Sequence, residues 1–201
     1  MAEQTRSFKY IFLDIVKFTS RSVEAQSDVI CALNETVKAS VGERDLQEEN
    51  VLYIPTGDGI CIAMSEELIF DIHMLVALDI LDKIHNYNEK QEDEMRQFNV
   101  RIGINENIDN VIEDINGRIN VAGSGINVAS RIMDNADEGQ ILVGQAVYDI
   151  LRYRERYMNS FKTYSATIKH GNQAWHYNFC ASIYKRWAHR IKYKYSIEFI
   201  Q

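Results

Sequence analysis

Asp14 interrupts the apolar run from Phe8 to Val16, and Asp58 sits between two glycines in Thr56-Gly57-Asp58-Gly59. An acid inside an apolar strand must have a partner or a job, because burying an unpaired charge is costly. Asp58, taken alone, also fits an ordinary hairpin turn. Brought together at a sheet edge, the two carboxylates form a site for hard divalent cations with room for triphosphate oxygens. Such a site can activate a ribose 3′-hydroxyl and neutralise a departing pyrophosphate. Further along, Asn127 and Arg131 are four residues apart, so on a helix both project from one face. A permanently charged guanidinium beside an amide suits a ribose and a phosphoryl group whose negative charge grows in the transition state. A plain surface hydrogen bond is the competing reading of that pair.

The elements that must position these residues follow from periodicity. Phe8 to Val16 predicts a buried strand that stops near Asp14. Ser20 to Val41 follows as a helix with Ile30, Leu33 and Val37 on its apolar side. Asn50 to Thr56 and Ile60 to Met64 predict a hairpin around Asp58-Gly59, with Pro55, the single proline, just before the turn. Ser65 to Asn88 predicts a long helix opened by Ser65 as N-cap, with Glu66 and Glu67 in its first turn and Ile69, Ile72, Val76, Ile80 and Ile84 along one stripe. Phe98 to Ile104 reads as another strand. This order matches the split βαββαβ motif, in which the first two strands run the same way. The end of the first strand and the turn of the hairpin then share an edge, which brings Asp14 to Asp58.

Beyond this core the pattern predicts a helix over Ser124 to Met133, a strand over Ile141 to Val143 and a helix over Gln145 to Tyr153. A last hairpin follows, Tyr164 to Lys169 with Ala174 to Ala181, turning at Gly171-Asn172. The fold class is therefore α+β, a ferredoxin-like βαββαβ core with an extra C-terminal αβαββ portion.

With 201 residues, 46% hydrophobic content, one proline and no low-complexity tract, the chain reads as a single domain over residues 1–201. Cys31, Cys61 and Cys180 have no paired spacing, which predicts free thiols in a reducing cytoplasm. No signal-peptide core and no apolar run of membrane-spanning length is present, so a cytoplasmic protein with no membrane partner is expected. A net charge of −7 argues against nucleic acid as a partner. The charge is uneven: the C-terminal extension 181–201 is +4, which leaves −11 for the rest, and such a tail reads as a solvated edge or dimer-contact segment, with an anion-binding role as the alternative. His170 and His176 have a zinc-like spacing, yet no CxxC accompanies them and Gly171-Asn172 reads as a turn.

Three segments, Phe12-Leu13-Asp14-Ile15-Val16-Lys17-Phe18-Thr19, Thr56-Gly57-Asp58-Gly59 and Gly125-Ile126-Asn127-Val128-Ala129-Ser130-Arg131, resemble in order the signature segments of class III nucleotidyl cyclases. The resemblance runs from about Phe8 to Phe179. It implies the class III cyclase fold, with Asp14, Asp58 and the Ile15 carbonyl as ligands of two Mg or Mn ions. Amides near Phe18 and Thr19 would face the phosphates, Asn127 would orient the ribose, and Arg131 would stabilise the transferring phosphoryl group. It also implies a homodimer, each site taking its metal acids from one subunit and its Asn and Arg from the other. Lys17 stands where the family usually has Gly, and Lys169 lies near its phosphate-binding Lys.

The family's purine-reading positions hold Ile54, four residues before Asp58, and Asn120, seven before Asn127. Adenylate cyclases usually carry Lys and Asp there, guanylate cyclases Glu and Cys. Ile54 cannot donate to a purine, while Tyr53 could fill volume, since one of two consecutive strand residues faces a pocket. Asn120 suits the N3–H and a carbonyl of uracil, and with its amide flipped it suits adenine or cytosine. Arg101 either lines the nucleotide pocket or is a salt-bridged strand residue. A short cyclase without the purine code resembles the Pycsar pyrimidine cyclases of bacterial anti-phage defence, of the uridylate type. That resemblance implies conversion of UTP to 3′,5′-cyclic UMP and pyrophosphate, with a separate effector sensing the product. A cytidylate or atypical adenylate cyclase shares the chemistry. A non-catalytic, nucleotide-binding regulatory domain is the alternative of another class, and the presence of Asp14, Asp58, Asn127 and Arg131 speaks against it.

Overall fold

β1 (Gln4–Ile15) alternates as a half-buried strand should, and its alternation divides the molecule into two cores. Ile11, Leu13 and Ile15 face one side, while Phe8, Tyr10, Phe12 and Asp14 face the other. The computed structural model describes residues 4–44, 46–65, 69–158, 160–161, 163–170 and 173–180, with backbone alone at 4, 48, 163–170 and 173–180. Glu66, Glu67, Gly171, Asn172 and the extension 181–201 lie outside the described residues, as do the side chains of Lys169, His170, His176 and Cys180.

β1 is flanked by two antiparallel partners, β3 (Gly59–Met64) and β4 (Val100–Glu113). β2 (Val51–Pro55) pairs antiparallel with β3, so β1 and β2 run the same way, as the βαββαβ reading requires. Beyond β4 come β6 (Ile141–Val143), parallel to it, then β8 (Gln173–Cys180) and β7 (Thr163–His170), giving the order β2-β3-β1-β4-β6-β8-β7. β5 (Ile119–Ala122) pairs with the far end of β4. The sheet with helices on its faces is the mixed α and β fold read from the sequence.

α1 (Val23–Gly42) and α2 (Ile72–Asn88) cover the first face, burying Val29, Leu33, Val37, Ile80 and Ile84 against Ile11, Leu13 and Ile102. α4 (Gln145–Leu151) adds Val147 and Leu151 to this core. α3 (Ser124–Asp134) lies on the second face through Ala129 over a smaller core of Phe8, Tyr10, Cys61, Ala63 and Val121. Among the described residues no helix is long and apolar enough to cross a membrane. Cys31 and Cys61 are free thiols, and burial pushes the Cys61 thiol up to about 12.

Several boundaries depart from the sequence reading: β1 starts at Gln4 rather than Phe8, α4 ends at Leu151 rather than Tyr153, and three others have a visible local cause. α1 starts at Val23 rather than Ser20, because Phe18–Ser20 forms a 3-10 turn and Ser22 is the N-cap, accepting from the Ala25 N–H at 3.2 Å. α2 starts at Ile72 rather than Ser65. Ser65 stays at the base of the hairpin, donating from its N–H and hydroxyl to Asn50, and Asp71 accepts from Tyr157 at 2.7 Å and Arg156 at 3.0 Å. β4 runs far past Ile104, where Asn105, Asn107 and Asp109 interrupt the apolar pattern to make polar bonds of their own, and β5, only Ile119–Ala122, is too short to show a period.

Ile80 is fully buried between α2 and the sheet. Ile80→Ala should cost about 2–5 kcal/mol of unfolding free energy. Urea melts should show a lower midpoint with an unchanged slope.

Candidate active site

The end of β1 meets the β2–β3 turn by direct strand pairing. Asp14 is opposite Gly59, and the Ile15 N–H donates to the Asp58 carbonyl at 3.1 Å. Gly57 takes a φ of 96°, the left-handed conformation a tight hairpin turn needs, and the Thr56 N–H closes the turn on the Gly59 carbonyl at 3.0 Å. The turn is thus built on Gly57-Asp58, one position earlier than the Asp58-Gly59 signal. Gly59 is needed for another reason, since a Cβ there would strike the Leu13 carbonyl, and only a bare backbone lets β3 close on β1 at this level.

The two carboxylates consequently lie beside each other. Burial is the chief cause that raises the Asp14 carboxyl above its ordinary range; the Arg101 hydrogen bond opposes it, and the charge of Asp58 adds to the rise. Arg101, opposite Asp14 on β4, donates from Nη2 to Asp14 Oδ2 at 2.8 Å. It is a salt-bridged strand residue, and that bridge places it at the edge of the acid pair. Two adjacent carboxylates with one guanidinium between strands fit a divalent cation, which would relieve their repulsion. Among the described residues no group of three or more His, Cys, Asp or Glu gathers, so further ligands would be backbone or substrate oxygens, a donor set that suits Mg²⁺.

Directly after β1, Lys17 adopts φ 55° and ψ 35°, the only non-glycine with positive φ among the described residues. This left-handed conformation costs an ordinary residue roughly 1–2 kcal/mol and explains why glycine would suit the position. Ser20 Oγ donates to the Lys17 carbonyl at 2.7 Å and holds the turn. Phe18 packs on the larger core, Thr19 is exposed, and Ile15 is buried at the strand end.

On β2 the pleat separates the two base-pocket candidates. Ile54 is opposite Cys61, itself opposite Phe12, and so shares the face of Asp14. Tyr53 is opposite Ile62 on the other face and is 41% exposed. Asn120 is half-buried on β5, with Oδ1 accepting from the Val121 N–H at 2.7 Å. Val121 and Ile54 belong to the same small core.

α3 buries Gly125, Ala129, Ile132 and Met133. Asn127 is exposed, its Nδ2 donating to the Gly123 carbonyl at 3.3 Å, and Arg131 is half-buried. No hydrogen bond or ion pair among the described residues joins either side chain to Asp14 or Asp58. One chain therefore joins Asp14 to Arg101 and leaves Asn127 and Arg131 bonded to neither acid. Asp109 went unnoticed in the sequence, although it carries the signal that marked Asp14: an acid next to Ile108 and close to Val111 on a strand. It is 4% exposed and bonded to Tyr10.

The model of the adenylate and guanylate cyclase catalytic domain family matches residues 1–177. The chain belongs to that family. No curated protein matches it. The fold of this cyclase domain is similar to that of the guanylyl cyclase Cya2, at TM-score 0.69 and 15% identity over 90% of this chain and 93% of that one. It is similar to the guanylate cyclase domain of RhGC from Catenaria anguillulae in complex with GTP, at TM-score 0.65 and 19% identity over 89% and 98%. The adenylyl cyclase CyaB from P. aeruginosa gives TM-score 0.64 and 15% identity over 92% and 98%.

Arg101 offsets the repulsion between the acids of this cyclase domain. Arg101→Ala should lower stability by about 1–2 kcal/mol at neutral pH. Without the guanidinium, Asp14 is raised further, so the deficit is present above its folded pKa and fades as acidification protonates it. Urea melts at neutral pH and near pH 4, with and without Mn²⁺, check this; the loss should shrink on acidification and on adding the cation.

Proposed function

We propose that this cyclase domain converts UTP to 3′,5′-cyclic UMP and pyrophosphate as a homodimer with shared sites. The observation that carries the reading is the convergence of Asp14 and Asp58 at the β1–β3 edge, on the face that also bears Ile54 where a purine-reading residue would stand. Bound Mg²⁺ or Mn²⁺, two ions per site, would supply activation of the 3′-hydroxyl and neutralisation of the triphosphate. Asp14 and Asp58, with the Ile15 carbonyl, hold that charge against the substrate. Phe18 and Thr19 amides, Lys17, Arg101 and Lys169 are candidates for the phosphate oxygens. Asn127 and Arg131 of the second subunit orient the ribose and stabilise the growing charge on the α-phosphorus. The 3′-oxygen forms a bond to that phosphorus, the bond to the pyrophosphate oxygen breaks, and the hydroxyl proton is lost to solvent.

Ile54 removes a polar partner for a purine, and Asn120 offers an acceptor and a donor to uracil. Tyr53 lies on the face opposite Asp14, which leaves Ile54 as the β2 candidate for the base. By its resemblance to the Pycsar uridylate cyclases, the product serves as a second messenger in anti-phage defence, sensed by a separate effector in the cytoplasm. The similar solved structures named above are guanylyl and adenylyl cyclases, which favours an atypical purine cyclase as the second reading.

Purified protein incubated with ATP, GTP, CTP or UTP and Mn²⁺ should yield cyclic UMP from UTP fastest, by mass spectrometry; turnover of purines alone contradicts the pyrimidine assignment. Asp58→Ala and Arg131→Ala should each lower kcat by about 10²-fold or more without changing the melting temperature much. Mixed in one dimer, these two variants should regain part of the activity, and no recovery in verified mixed dimers contradicts the shared site.

A further inference from the structure

We propose that Asp109 is a positioning residue for cyclisation, fixing from within the sheet the start of α3 and thereby the aim of Asn127 and Arg131. The inference rests on the cyclase reading and adds to it a residue outside the three signature segments. Asp109, on β4, is 4% exposed and accepts from three donors on three elements. Oδ2 takes the Tyr10 hydroxyl of β1 at 2.6 Å and the Gly125 N–H of α3 at 3.0 Å, and Oδ1 takes Asn107 Nδ2 at 2.7 Å. Charge-assisted bonds of this kind are the strong ones, and a carboxylate set against the N-terminus of a helix is favoured by the helix dipole.

The backbone of α3 is shaped to receive that carboxylate. A Cβ on Gly123 or on Gly125 would overlap the Asp109 side chain, so both residues leave the space it occupies. The same turn is gripped twice more from β4, by Asn105 Nδ2 on the Gly125 carbonyl at 3.3 Å and by Asn107 Nδ2 on Ser124 Oγ at 3.1 Å. The remaining seat of α3 is apolar, through Ala129, Ile132 and Met133. Apolar contact is non-directional, so it holds the helix down without fixing its height or rotation. The Asp109 bonds supply that direction two residues before Asn127. Burial, and then Asp109 itself, keep the Tyr10 phenol well above its ordinary range, so it remains a donor.

The test compares Asp109→Asn, which keeps the shape but turns an acceptor into a donor, with the milder Tyr10→Phe. A shift of about 1 Å in a catalytic group costs up to about 10²-fold, so Asp109→Asn should lower kcat roughly ten- to hundredfold with KM for the triphosphate within about twofold, and Tyr10→Phe less. In mixed dimers, Asp109→Asn should be rescued by Asp58→Ala, which contributes an intact α3, and not by Arg131→Ala. A KM increase at unchanged kcat, or equal rescue by both partners, overturns the assignment. If the reference pair of Asp58→Ala and Arg131→Ala fails to recover, the shared site falls while the kcat and KM of Asp109→Asn still decide the role of Asp109. Amide hydrogen exchange gives a reading independent of turnover: Asp109→Asn, or Tyr10→Phe if the former does not fold, should speed exchange over residues 124–129 and leave α1 unchanged. Unchanged exchange there contradicts the proposal.

Discussion

The antiparallel pairing that sets Asp14 of β1 opposite Gly59 of β3 is the constraint on which the site depends. It joins two acids more than forty residues apart in sequence by backbone bonds rather than by side-chain reach, the Ile15 N–H on the Asp58 carbonyl being the last rung. Everything around it accommodates that rung. Gly57 supplies the turn, Gly59 lets the strands close, and Arg101 on the opposite neighbour tempers the repulsion the pairing creates. The result is a carboxylate pair that is costly when empty of cations, a local expense of the sort found at sites built for function.

The proposed second half of the chemistry is organised by a different principle. Asn127 and Arg131 ride on a short helix whose apolar underside holds it to the sheet, while a buried carboxylate and two asparagines from β4 fix its first turn. The polar residues of β4 therefore have a purpose that apolar packing could not serve.

That difference explains what could be read from the sequence. The β1 run, the hairpin and the amphipathic stripe of α2 follow period and turn chemistry, so the meeting of Asp14 with Asp58 was legible from topology alone. The length of β4 was not, because Asn105, Asn107 and Asp109 break the alternation in order to bond to α3 and Tyr10, and β5 has too few residues to show a period. The start of α2 was misplaced for a similar reason: Ser65 looks like an N-cap but is tied to Asn50. Lys17 shows the limit from the other side. The resemblance marks it as standing where the family usually has Gly, and its left-handed backbone gives the physical reason: the position suits glycine, and Lys holds it at a conformational cost.

The most direct measurement is a Mn²⁺ titration followed by electron paramagnetic resonance, in the presence of a 3′-deoxy triphosphate that cannot cyclise. Two ions per site with a spin-coupled signal, lost when Asp14 and Asp58 are both replaced by Ala, is the result expected of acids that grip cations against a triphosphate. Equal uptake and an unaltered signal in that double variant would contradict it.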